Sequence, residues 1–67
     1  MIHVHVNGET HQLPGSVSIL ELLSLVDVPP NYLAVEVNEE VIPRENHGLV
    51  RVSDGDHVEV VTLVGGG

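Results

Sequence analysis

Cysteine, lysine, tryptophan and phenylalanine are all missing from these 67 residues, and tyrosine occurs once, as Tyr32. Without cysteine there is no disulfide framework, no thiolate zinc site and no catalysis by a side-chain thiol. Without aromatic anchors the core has to be assembled from Val, Leu and Ile, a composition suited to a small β-rich domain. Positive charge is equally scarce. Arg44 and Arg51 are the only fixed cations against ten acidic residues, and the formal net charge is −8. A field of that sign repels nucleic acid and anionic lipid, so the expected partners are basic protein surfaces. No basic-then-apolar leader and no long apolar run is visible, which argues against a secretion signal or a membrane span and makes the cytoplasm the default location. A chain of this length makes one domain with a thin stability margin and no room for a deep catalytic cleft.

What is present falls into short periodic segments. In "MIHVHV", Ile2, Val4 and Val6 alternate with His3 and His5, the period of a half-buried strand. Asn7-Gly8 reads as a type I′ hairpin turn, so Glu9 to Leu13 returns antiparallel, and Pro14-Gly15 closes the hairpin. "SVSILELLSLV" changes to helical spacing, with Ile19, Leu22, Leu23 and Val26 on one face. Ser18 and Glu21 have the form of a capping box, with Val17 as a hydrophobic staple on Leu22, which starts the helix near Ser18. Two prolines in "DVPPN" forbid its continuation. "LAVEVN" alternates again, Val41-Ile42 forms a very short strand before Pro43, and Arg44 to Gly48 makes a turn or a single helical turn. "LVRV" is expected as a short edge strand, "SDGD" as a turn, and "HVEVVTLV" as the last and most apolar strand.

Hairpin, helix and then strands predict an α+β fold, a mixed sheet of four to five strands with one helix across one face. The first and last strands form the natural central pair, since the covered face has to bury Val4, Val6, Val58 and Val60. That layout is ubiquitin-like β-grasp. The domain is expected to span residues 1–64, followed by a flexible glycine tail at residues 65–67.

Five histidines are many for this length, but His3 and His5 lie opposite the aliphatic face, and no carboxylate at fixed spacing completes a tetrahedral site. No metal site is expected. Nor do the acids and histidines form a triad or a carboxylate pair, so the chain is read as a non-enzyme. The single glycines lack phosphate-loop clustering and belong to turns. Glu36, Glu39, Glu40, Glu45, Asp54, Asp56 and Glu59 provide solubility or, taken together, a docking face. With Val58 and Val60 turned to the helix, Val61 and Leu63 fall on the uncovered face as a candidate partner-binding patch.

The ending "GGG" is either an ordinary frayed terminus or a functional arm. Glycine has no Cβ, so the segment can thread a channel that any larger side chain would block. What it delivers is the carboxylate of Gly67. Adenylation by an ATP-dependent enzyme would turn that group into a mixed anhydride open to attack by a sulfur, oxygen or nitrogen nucleophile.

"AVEVNEEVIPRE", "DGDHVEVV" and the final "VGGG", in this order and at this length, resemble the ThiS family of sulfur carriers in thiamine biosynthesis. The resemblance covers essentially the whole chain. It implies that Gly67 is adenylated by an E1-like enzyme, ThiF, and converted to a thiocarboxylate with sulfur from a cysteine desulfurase, for use by the thiazole synthase ThiG. Gly66 is then the partner of Gly67 in the terminal pair, and Gly65 extends the arm. The chain itself binds no cofactor, ATP being consumed by the activating partner. Val61, Leu63 and Gly65 become the expected contacts with those enzymes, and the carrier is expected as a monomer. Many family members have a tryptophan shortly after the Pro-Arg pair, where this chain has "PRENHG" with His47, a residue given no role. Arg44 is open between a buttress for the neighbouring loop and a partner contact. The small subunit of molybdopterin synthase and a ubiquitin-like protein modifier are alternatives of similar chemistry, and a plain interaction module is a third.

Overall fold

A computed structural model describes residues 1–28 and 31–62 of the chain. Seven short elements follow one another: β1 (Ile2–Val6), β2 (Glu9–Leu13), α1 (Ile19–Leu25), β3 (Ala34–Val37), β4 (Glu40–Ile42), a 3-10 helix (Arg44–Asn46) and β5 (His57–Val61). The five strands form one sheet in the order β2-β1-β5-β3-β4. β1 and β5 run parallel at its centre, and the other neighbours are antiparallel. The expected β-grasp architecture is therefore the observed one, with the last strand in the middle.

Both hairpins turn on two residues. Asn7 and Gly8 stand at φ 50° and 85° between the paired Val6 and Glu9, which is the left-handed backbone a type I′ turn requires. The second turn, between Val37 and Glu40, uses Asn38 at φ 51° and Glu39 at φ 69°. Nothing in the composition marks it, because glutamate stands where glycine is usual.

Helix α1 has seven residues, too few to be stable alone in water. Two things hold it. Ser18 Oγ accepts from Glu21 N at 3.1 Å while a Glu21 carboxylate oxygen accepts from Ser18 N at 3.1 Å, completing the expected capping box. Those bonds, the one from the Ser18 backbone foremost, hold the Glu21 carboxyl below its ordinary value. The second support is burial, since Ile19 and Leu22 are wholly enclosed and Val26 nearly so. The core they enter is aliphatic throughout: Val4, Val6 and Leu13 from the first hairpin, Val35 from β3, Val58 and Val60 from β5, and Val52. Val17 packs at its margin. The helix ends at Val26, whose backbone is already extended, three residues ahead of Pro29.

One expected element is absent. "LVRV" is not an edge strand, for its backbone pairs with the approach to the helix instead of with the sheet. Ile19 N donates to Val50 O at 3.0 Å, Val52 N to Val17 O at 2.9 Å, and Ser18 and Arg51 form an isolated bridge. The Arg51 guanidinium adds a bond to Ser16 O at 2.7 Å. Burying Val52 beneath the helix start satisfies the apolar alternation without a place in the sheet. The turn that follows carries Gly55 at φ 88° and is tied to β1, with Gly55 N donating to His3 O at 2.7 Å and His3 N to the Asp54 carboxylate at 2.7 Å.

Candidate functional site

Val61, Leu63 and the terminal glycines, the contacts that the family resemblance implies, lie on β5 or beyond it, so the site begins with what holds that strand. Hydrogen bonds grip it from both sides, and two asparagine side chains extend the ladders where the neighbouring strands turn away. Asn7 Oδ1 accepts from Val60 N at 2.8 Å. Across the strand, Asn38 Oδ1 accepts from His57 N at 3.0 Å, and Asn38 N donates to His57 O at 2.7 Å. Asparagine suits both tasks, since it tolerates the left-handed backbone of the turn and its amide imitates a peptide group. Of the expected contacts, Val61 sits half-buried on β5 opposite Ala34, on the side away from the helix. Its carbonyl accepts from Leu33 N at 2.7 Å. Leu63, Gly65, Gly66 and Gly67, and with them the boundary at residue 64, lie outside the described residues.

Beside this strand end stands a cluster that sequence reasoning left without a function. His47 is only 3% exposed. Its Nε2 lies 3.0 Å from Ile42 O, and its Nδ1 lies 3.4 Å from the Tyr32 hydroxyl. A carbonyl can only accept, so Nε2 carries a proton, and in the neutral ring Nδ1 accepts from the tyrosine. The His47 carbonyl in turn accepts from Leu20 N at 2.8 Å, tying the 3-10 helix to the first turn of α1. Arg44 lies over the Tyr32 ring, with Cζ 4.4 Å from its centroid, and donates to the Tyr32 carbonyl. Within the fold Arg44 is thus a buttress for the loop before β3. The signal that could have found this cluster was the presence of one aromatic residue and two arginines in the chain, the partners of a cation–π contact.

The uncovered face of the sheet is polar along β1, β2 and the middle of β5, with Val41 exposed beside Glu36 on β4. His5 and His57, register partners on β1 and β5, stack with ring centroids 4.4 Å apart and planes 16° apart. Thr10 shares a 3.0 Å hydrogen bond with His5 Nδ1. Glu36 and Glu59 stand directly opposite one another, a like-charge pairing that costs stability unless a cation is supplied from outside. A groove of about 420 Å³ runs along this face, bordered by His5, Asn7, Glu36, Glu39, His57 and Glu59. The face therefore offers negative charge at its middle and an aliphatic step, Ala34 and Val61, where β5 ends. Among the described residues no three metal-ligating side chains converge, and no helix is long and apolar enough to cross a membrane.

The chain matches the ThiS family over residues 4–67 and belongs to it. It is 39% identical to the thiamine biosynthesis protein ThiS of Geobacter metallireducens, whose crystal structure superposes with a TM-score of 0.79 over 98% of this chain and 100% of that one. A solution structure of a thiamine biosynthesis protein from the same organism gives 0.74, covering 98% of this chain and 88% of the other. A thiazole synthase of Paramagnetospirillum magneticum is 37% identical over 62 residues, which make up 92% of this chain and 19% of that protein. The chain thus spans about a fifth of such thiazole synthases. The protein ycf40 of Porphyra purpurea is 32% identical over 66 residues and matches along 93% of its own length.

Proposed function

We propose that this ThiS-family chain is a sulfur carrier of thiamine biosynthesis, a protein substrate of other enzymes, with the carboxylate of Gly67 as its working group. The observation that carries the reading is the family match running through Gly67, joined to a strand order that puts the strand leading to the glycines at the centre of the sheet. A rigid platform bearing a side-chain-free arm is what a partner needs to draw one end into a closed active site.

The chemistry is supplied by the partners. In the activating enzyme, of the E1-like ThiF kind, a Gly67 carboxylate oxygen attacks the α-phosphorus of ATP and pyrophosphate leaves. A persulfide, charged by a cysteine desulfurase, then attacks the acyl carbon through its outer sulfur and AMP leaves; a second thiol of the partner cleaves the S–S bond of the acyl disulfide so formed, ending as a disulfide itself and releasing the carrier. The resulting thiocarboxylate, ionised at neutral pH, needs no side chain to lower its pKa before it hands sulfur to thiazole formation. Two thiazole synthases containing a segment alignable with 92% and 96% of this chain support that enzyme as the acceptor. The absence of cysteine and lysine from these residues leaves no internal thiol or ε-amine to intercept the activated carboxyl.

The test is intact mass spectrometry after incubation with ATP, ThiF and a sulfur source, followed by a thiol-alkylating reagent. Exchange of oxygen for sulfur is nearly isobaric with oxidation of Met1, so the alkylated adduct is the readout. With no cysteine to compete, an adduct mapped to Gly67 is the expected result. Its absence, with ThiF active on another carrier, overturns the reading. Val61→Asp places a charge on the aliphatic step at the end of β5, and activation is expected to be lost while the fold, followed by circular dichroism, is retained. Unchanged adenylation would remove Val61 from the docking surface.

A further inference from the structure

Ten carboxylates and two guanidiniums share this chain, yet among the described residues neither arginine forms an ion pair. Arg44 goes instead to Tyr32, lying on its ring and bonding its carbonyl. The Tyr32 hydroxyl is held by His47, itself fixed between the end of β4 and the start of α1. The next residue along, Leu33, donates to the Val61 carbonyl at 2.7 Å, and Ala34 is the register partner of Val61. A continuous chain of contacts thus runs from a surface guanidinium to the last residue of the central strand.

We propose that Arg44 is a positioning residue for sulfur transfer, acting through Tyr32 and Leu33 to fix the end of β5 at Val61, the last paired residue ahead of Gly67 in the chain. The functional half of this rests on the carrier reading above. Three features separate the assignment from simple packing. Arg44 is exposed, so the core does not need it. The residues it restrains are those that bond the strand end. A free arginine on so acidic a molecule would also be expected to seek a carboxylate, and this one is placed where none of the described residues supplies one. A restraint on the end of β5 affects how often Gly67 meets ATP correctly once docked, which is a matter of kcat, whereas a direct partner contact would be felt in KM.

The experiment uses the full chain and the variants Arg44→Leu and Tyr32→Leu, alone and together. Two quantities are read: hydrogen exchange of the Leu33 amide, compared with that of Leu22 in the helix, and the steady-state rate of adenylation by ThiF. Each single variant is expected to speed Leu33 exchange roughly two- to fivefold, the range that loss of one exposed cation–π contact allows, while Leu22 is unchanged. Each is expected to lower kcat with KM nearly constant, and the double variant to be no worse than the more damaging single one. A rise in KM with Leu33 exchange unaltered makes Arg44 a partner contact and overturns the proposal. Faster Leu33 exchange with adenylation intact overturns its functional half. If the wild-type chain is not adenylated at all, it is the carrier reading that has failed, and the exchange data still decide whether the restraint exists. Should Tyr32→Leu not fold, the Arg44→Leu pair of measurements decides alone.

Discussion

Glu39 occupies a backbone conformation that most side chains resist, at φ 69° in the second position of a type I′ turn. Replacing it with glycine removes that resistance but adds freedom to the unfolded chain. The net expectation is a gain of up to about 1 kcal/mol, checked as a rise in the urea midpoint of Glu39→Gly. Asn7 makes the opposite case. Glycine there keeps the turn but deletes the side-chain acceptor for Val60 N, so Asn7→Gly is expected to lose about 1–2 kcal/mol, and an unchanged midpoint would deny the clip any energetic role. The two turns differ in legibility for the same physical reason. Asn7-Gly8 announces itself because both residues favour positive φ, whereas Asn38-Glu39 hides a left-handed glutamate that only tertiary pairing, through Asn38 and His57, can impose. His47 was illegible for a related reason. A histidine in a polar run between Arg44 and Gly48 looks solvated until its hydrogen-bond partners at Ile42 and Tyr32 are known.

Among the elements, the helix was the most readable, because capping chemistry and a four-residue apolar stripe agree on where it begins. Its dependence on the cap leads to a pH prediction. The Glu21 carboxyl titrates below its ordinary value in the folded chain, held there by its bonds to Ser18. A lowered folded value means stability that is present above the unfolded value and lost as pH falls through the folded one. Glu21→Gln keeps an acceptor for Ser18 N without the charge. The wild type is therefore expected to exceed the variant in stability at pH 7 and to lose that lead in acid, as urea midpoints at both pH values would show. A constant difference would mean that the charge is not linked to folding. Ser18→Ala removes the cap at any pH, for about 1 kcal/mol. "LVRV" was misread because an alternating apolar tetrapeptide fits any buried extended segment. Its partner, the lead-in at Val17 to Ile19, does not itself look like a strand.

At the scale of the molecule, the excess of carboxylates is a cost spread over the whole surface and concentrated where Glu36 faces Glu59. Screening should relieve it. The melting temperature is expected to rise by a few degrees, about 2–5 °C, between 20 mM and 500 mM sodium chloride, and a melting temperature indifferent to salt would show that the acids are too well hydrated to matter. The overall layout was accessible from sequence because hydrophobic periodicity names the faces, and two aliphatic strands at opposite ends of the chain have few ways to bury themselves together. The parallel pairing of β1 and β5 also has a mechanical meaning. Tension applied between the start of β1 and the chain beyond Thr62 acts along both strands in opposite directions, so it loads their hydrogen bonds, and the Asn7 bond to Val60 with them, in shear. Shear requires several bonds to fail at once, whereas peeling breaks them one by one. An enzyme that tugs on the arm as it works would stretch a strap sewn along its length rather than open a zip.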